Sequence, residues 1–139
     1  MLTIEKTNDL LLINNLDKIC FSNQWYSINT YENMVKNHEL YLIKKQGENV
    51  GFLIVLILGK EIEIIKIGIV EKQRRKGFAF QALNIFLNAY DYEKCYLEVS
   101  NKNTNAIKLY LKLGFKKTNI RKRYYQDGSD ALNFIYIKS

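Results

Sequence analysis

The sequence predicts an α/β (α+β) fold built on a mixed, mostly antiparallel sheet of about seven strands, with about four helices on its two faces. Three observations carry that prediction. Leu40–Lys45, Val50–Leu58 and Glu61–Ile69 follow one another with only turns between them, which describes an antiparallel meander. A helical run, Gly77–Tyr90, then separates Glu61–Ile69 from the alternating stretch Cys95–Val99, so those two strands can lie parallel. Finally, a helix ending at Gly114 leads into two stretches around Gln126-Asp127-Gly128-Ser129, a terminal hairpin.

In chain order, Leu2–Glu5 is an opening strand. Asn8 or Asp9 caps a helix reaching about Ile19, with Leu12, Leu16 and Ile19 on its apolar side. Phe21-Ser22-Asn23-Gln24-Trp25-Tyr26 is an aromatic loop, and a second helix starts after Ser27 with Tyr31, Met34 and Val35 on one face. Val50–Leu58 is apolar on both sides, so both must be covered. Along Glu61–Ile69 the odd positions Glu61, Glu63, Ile65, Ile67 and Ile69 share one face, opposite Ile62, Ile64, Lys66 and Gly68. Ala79, Ala82, Leu83, Ile85 and Phe86 form the stripe of the next helix. In the following strand Cys95, Leu97 and Val99 oppose Tyr96, Glu98 and Ser100. Asn103 or Thr104 caps the fourth helix, which carries Ile107, Tyr110 and Leu111, and Phe115–Tyr125 and Asp130–Lys138 form the hairpin.

The chain of 139 residues, 47% hydrophobic and 25% charged, reads as one globular domain over 1–139. No apolar run has the length a bilayer needs and the N-terminal stretch lacks the pattern of a signal peptide, so a cytoplasmic protein without a membrane partner is expected. Cys20, Cys95 and His38 are too scattered for structural zinc, and no metal is expected. A formal net charge of +7 suits anionic partners.

The turn Arg74-Arg75-Lys76-Gly77-Phe78-Ala79 joins a strand to a helix start. Free backbone N–H groups, the positive end of the helix dipole and cationic side chains coincide there, which is a phosphate site if it is more than a solvated loop. Lys76-Gly77-Phe78-Ala79-Phe80 also mimics the start of an RNA-recognition core. However, Gln81 and Leu83 break that pattern and the run has helical periodicity, so no direct nucleic-acid role is expected.

Taken together, this turn and Asn103-Thr104-Asn105-Ala106-Ile107-Lys108-Leu109-Tyr110 with Gly114-Phe115 resemble the two ordered signatures of the GNAT superfamily of acetyl-CoA-dependent N-acetyltransferases. Leu97-Glu98-Val99, Trp25, Arg123-Tyr124-Tyr125, Asp127-Gly128 and Asp130-Ala131 are similar to its ribosomal-protein alanine N-acetyltransferase subgroup. Glu71 stands where proline is common, Gln73 where tyrosine is, Ala79 replaces the second glycine, and the Tyr125–Asp130 turn is shorter, which leaves the acceptor open.

The resemblance implies two splayed parallel central strands and an acetyl-CoA cosubstrate. It implies that Arg74, Arg75, Lys76, Gly77, Phe78 and Ala79 hold the pyrophosphate, that Asn103 lies beside the pantetheine arm, and that the strand end at Ile67 and Ile69 supplies backbone contacts to the arm and the oxyanion. Glu98 would be the general base and Tyr110 the general acid, with Trp25, Tyr124 and Tyr125 on the acceptor side. By residue type alone Glu98 is equally a solvated strand residue, Asn103 a helix cap, and Tyr110 a core residue with a tethered hydroxyl. The implied acceptor is a protein N-terminus, possibly of a ribosomal protein, with a small-molecule amine or a lysine as the alternative.

Overall fold

The strands form a seven-stranded sheet in the order β1-β2-β3-β4-β5-β7-β6, and the computed structural model describes residues 1–138. These strands are β1 (Leu2–Thr7), β2 (His38–Lys45), β3 (Glu48–Leu58), β4 (Glu61–Ile69), β5 (Lys94–Ser100), β6 (Lys116–Arg121) and β7 (Ala131–Ile137). The helices are α1 (Leu10–Cys20), α2 (Ile28–Met34), α3 (Phe78–Ala89) and α4 (Thr104–Leu113). Among the described residues no helix is long and apolar enough to cross a membrane.

The residues cluster into two compact units that divide β4 at Glu63: Met1–Ile57 with Ile64–Tyr90, and Leu58–Glu63 with the chain from Asp91 onward. In the first unit, β1 pairs antiparallel with β2, and β2 with β3. Ile13, Leu16, Cys20 and Tyr31 of α1 and α2 pack on Leu40, Leu42, Phe52 and Ile54. Phe78 and Ala82 of α3 pack with Leu2, Ile43, Val50 and Ile69 in a separate cluster. Both faces of β3 are therefore covered, which explains its continuous apolar sequence. Burying each large side chain completely contributes about 1.5–3 kcal/mol, so these two clusters supply much of the drive to fold.

In the second unit β4 and β5 run parallel, with Glu61–Lys94, Ile62–Cys95 and Glu63–Tyr96 in register. β7 inserts between β5 and β6, antiparallel to both. Cys95, Leu97 and Val99 are buried while Tyr96, Glu98 and Ser100 are half-buried, so the alternation holds along β5. Aromatic rings fill the α4 side, where Tyr110 meets Phe115 edge-on at 5.8 Å and Phe134 at 6.5 Å.

Four details differ from expectation. Ile19, Val35 and Leu111 are exposed rather than inward-facing, and α1 buries Asn14 and Asp17 beside Ile13, Leu16 and Cys20. β6 stops at Arg121 instead of continuing to Tyr125, because Arg123 takes a φ of 51° and donates its N–H to the Asp130 carboxylate at 3.0 Å, which breaks the ladder. A single 3₁₀ turn, Glu71–Gln73, intervenes before the basic loop. Along β4, Ile65 packs with the α1 cluster but Ile67 and Ile69 with the α3 cluster, so the expected single face changes side after Ile65. A switch of side in a strand requires a local irregularity, a feature that recurs beside functional sites.

Candidate active site

In the first unit, the basic turn begins where β4 ends. The Arg74 guanidinium is turned back onto main chain, donating from Nε to the Ile69 carbonyl at 2.8 Å and from Nη2 to the Cys20 carbonyl at 2.9 Å. It thus ties the end of β4 to the C-terminal end of α1, leaving Arg75 and Lys76 as the outward cations of the turn. Lys76 Nζ donates to Gln73 Oε1 at 3.0 Å.

Two residues here have positive φ, Arg75 at 64° and Gly77 at 79°. Alternating conformations of this kind gather main-chain N–H groups into a concavity for anions. Gly77 is the N-cap of α3, and no side chain caps that helix. A Cβ at Gly77 would meet only Gln81 Nε2, at 3.8 Å, so it is the left-handed backbone rather than crowding that demands glycine. An open helix start flanked by Arg75 and Lys76 has the donor set and the charge that a phosphate needs. Phe78 is buried and Ala79 half-buried against the α3 cluster, so their side chains anchor the start of the helix. Ile67 is half-buried and Ile69 buried in the same cluster. Trp25 sits in the loop between α1 and α2, 43% exposed, so it is not a core plug. Lys18 Nζ lies 4.8 Å from the centre of its ring.

The second unit gathers Glu98, Arg121, Tyr124 and Tyr125. Glu98 lies two residues beyond the last registered β4–β5 pair and opposite Asn133 of β7. Arg121 Nε is 3.8 Å from its Oε2, too long for a hydrogen bond, and the Arg121 guanidinium lies 5.2 Å from the centre of the Tyr124 ring. Tyr124 meets Tyr125 edge-on at 5.2 Å. Burial first, and then the charge of Glu98, raise the Tyr125 hydroxyl above its ordinary pKa. Glu63, which shares the Glu98 face through its register with Tyr96, is also raised, by burial and then by Glu98. The loop beneath is fixed by Asp127, whose carboxylate accepts from Ser129 N–H at 2.9 Å and Ser129 Oγ at 2.6 Å.

Tyr110 lies on the opposite face of β5 from Glu98. Burial first, with the neighbouring Cys95, pushes its pKa up to about 12, so it holds its proton throughout the neutral range. Among the described residues its hydroxyl has no hydrogen-bond partner, which differs from the tethered hydroxyl expected of a core tyrosine. Asn103 caps α4, its Oδ1 accepting from Ala106 N–H at 3.2 Å.

Three residues that carry no role in the sequence reading matter here: Glu63, and in the first unit Asp17 and Lys66. Their signal was present but weak. Lys66 interrupts a run of isoleucines and Asp17 falls on the core side of an amphipathic helix, and a charge so placed requires a partner.

Residues 10–115 match the acetyltransferase (GNAT) family, and the chain belongs to that family. Among curated proteins it is 44% identical to an N-alpha-acetyltransferase of Saccharolobus solfataricus over 49% of this chain and 43% of that protein. It is 34% identical to an N-alpha-acetyltransferase of Sulfurisphaera tokodaii over 66% of this chain and 64% of that protein. The chain therefore spans between about two fifths and two thirds of the length of these curated relatives. Among solved structures, the ribosomal-protein-S18-alanine N-acetyltransferase from Escherichia coli superposes with a TM-score of 0.88 at 25% identity, covering 100% of this chain and 95% of that one. A GNAT family acetyltransferase from Elizabethkingia anophelis with acetyl-CoA bound has the same fold, with a TM-score of 0.80 at 24% identity over 99% of this chain and 98% of that one.

Proposed function

We propose that this protein transfers an acetyl group from acetyl-CoA to the α-amine at a protein N-terminus, by direct attack within a ternary complex. One observation carries the reading above all: the start of α3 is uncapped, led by Gly77 and flanked by Arg75 and Lys76, the donor set and charge that a pyrophosphate needs. Main-chain N–H groups around Gly77, Phe78 and Ala79 bind the pyrophosphate, and Arg75 and Lys76 add charge, while Arg74 braces the turn from behind. Asn103 spends its oxygen on the helix cap and keeps its amide N–H groups for the pantetheine arm. Main chain at Ile67 and Ile69, just past the side switch in β4, serves the arm and the thioester oxygen.

Glu98 takes a proton from the acceptor ammonium, directly or through a water. The freed amine nitrogen attacks the thioester carbonyl carbon. As the C–N bond forms the C–S bond breaks, and Tyr110 gives its proton to the departing thiolate. The opposite placement of the two groups across β5 suits this division, with the amine entering on the Glu98 side and the thiolate leaving on the Tyr110 side. With its pKa raised to about 12, Tyr110 keeps its proton throughout the neutral range until the thiolate develops. Trp25 in the first unit, and Tyr124 and Tyr125 in the second, are each assigned to the acceptor side in this reading. The N-alpha-acetyltransferase relatives and the alanine N-acetyltransferase structure favour an N-terminal acceptor over a small amine or a lysine side chain.

A CoA-release assay across peptides with different N-terminal residues, run beside polyamines and lysine-containing peptides blocked at the N-terminus, decides the acceptor. Turnover of an N-terminal alanine peptide is the expected result. Turnover of small amines alone would overturn the acceptor assignment and leave the acetyl-transfer reading intact.

A further inference from the structure

The first unit contains a buried ion pair that the chemistry above does not use. Lys66 of β4 donates to Asp17 Oδ1 at 2.7 Å, with side-chain exposures of 11% and 0%. Taking two charges out of water is costly, and such a pair persists only where further hydrogen bonds satisfy its remaining donors and acceptors. Two of the three further bonds act on the loop that carries Trp25, and the third comes from Tyr31 of α2, the helix that follows it.

Lys66 Nζ donates to the carbonyl of Gln24 at 2.7 Å, and Asp17 Oδ2 accepts from the backbone N–H of Tyr26 at 2.8 Å. The Gln24 carbonyl belongs to the peptide group before Trp25, and the Tyr26 N–H belongs to the one after it. The two members of the ion pair thus hold the two peptide groups that flank Trp25, one each. Lys66 also lies 4.4 Å from the ring centre of Phe21 and 4.2 Å from that of Tyr26, so its ammonium is enclosed by the two ends of the same loop. Asn14 Nδ2 donates to the Tyr26 carbonyl at 2.7 Å, and the Tyr31 hydroxyl donates to Asp17 Oδ2 at 2.6 Å. The backbone on both sides of Trp25 is fixed, while its indole remains 43% exposed.

We propose that the Asp17–Lys66 ion pair is a clamp that holds the Trp25 loop in one conformation, and that Lys66 is thereby a positioning residue for recognition of the acceptor. This rests on the reading of Trp25 as an acceptor-side residue. A clamped indole presents apolar surface to the first residues of an incoming chain without an ordering cost at the moment of binding, and that is how a preorganised loop contributes to affinity. Lys66 touches neither the thioester nor the amine in this scheme. Its effect falls on acceptor KM and on discrimination between acceptors.

The chain has one tryptophan, so its fluorescence reports this loop alone. In Lys66→Met, acrylamide quenching of Trp25 should rise roughly twofold as the loop loses protection. Acceptor KM should rise about tenfold, the effect expected for losing one well-ordered loop contact, with acetyl-CoA KM unchanged. Lys66→Arg should restore much of both effects by keeping a cation in the cage. If Lys66→Met does not fold, the double variant Asp17→Asn/Lys66→Met removes the stranded buried carboxylate and takes the same measurements. Unchanged quenching overturns the clamp whether or not acetyl transfer is seen. Equal rises in acceptor and acetyl-CoA KM overturn the positioning role, since a merely structural residue would act on both. If the wild-type protein turns over no amine but quenching still rises in Lys66→Met, the function reading fails and the role in acceptor recognition fails with it, while the clamp stands.

Discussion

Helices α3 and α4 begin in opposite ways. α3 starts at Gly77, with a left-handed backbone, no side-chain cap and exposed cations beside it. α4 starts at Asn103, whose side chain satisfies one of the orphan N–H groups of the first turn. A capped start has a donor already committed, whereas an open one keeps its donors for an incoming anion. In the proposed function this difference assigns α3 to binding, and α4 to a contribution from a side chain further along, Tyr110.

If that division is right, the largest effects come from the chemical residues and leave binding alone. Glu98→Gln and Tyr110→Phe should each lower kcat by ~10²-fold or more. Acetyl-CoA binding, followed as thermal stabilisation, should barely move. Parallel losses of binding and turnover would erase the distinction between the helices.

The next largest effect belongs to α3. Gly77→Ala forces a Cβ into a left-handed backbone at a cost of roughly 1–2 kcal/mol, so acetyl-CoA affinity should fall about tenfold as the turn relaxes, measured by calorimetric titration. Asn103→Ala, by contrast, should lower stability to denaturant by about 1 kcal/mol through loss of the cap, and Asn103→Ser should recover most of it. A Ser variant that keeps stability but loses acetyl-CoA affinity would separate the cap of Asn103 from its proposed contact with the arm.

The smallest effect concerns alkaline stability. The folded Tyr110 holds its proton up to a pKa of about 12, against an ordinary value of 10.0, so between those values the folded state binds more protons than the unfolded one. Stability from this residue is present below pH 10 and is lost as the pH rises through about 12. Tm should therefore fall across that range, less steeply in Tyr110→Phe. An equal slope would show that the ring is not held in so apolar a setting.

Much of this was legible in the residues because it is local. Hydrophobic alternation marks β5 and places Cys95 and Glu98 on opposite faces, Ser27, Asn103 and Gly114 mark helix ends, and the ordered signatures point to the family. Periodicity failed where a helix face meets neighbours that the sequence does not name. Ile19 and Leu111 have the right spacing, yet they are exposed, since which side of a helix is covered depends on the element packed against it. The insertion of β7 beside β5 is not legible in the sequence for the same reason, because hairpin signals tell which strands pair with each other and not which one joins the sheet.

By itself the sequence determined the basic glycine turn, the strand–helix–strand order around it and the placement of Glu98, all of which follow from backbone preferences and short-range patterns. Tertiary structure alone decided that Arg74 turns inward to two carbonyls, that Glu63 feels Glu98, and that Asp17 and Lys66, 49 residues apart, meet around the Trp25 loop. Charges find partners through space, and the low dielectric that makes an unpaired buried charge so costly acts only once the chain has folded.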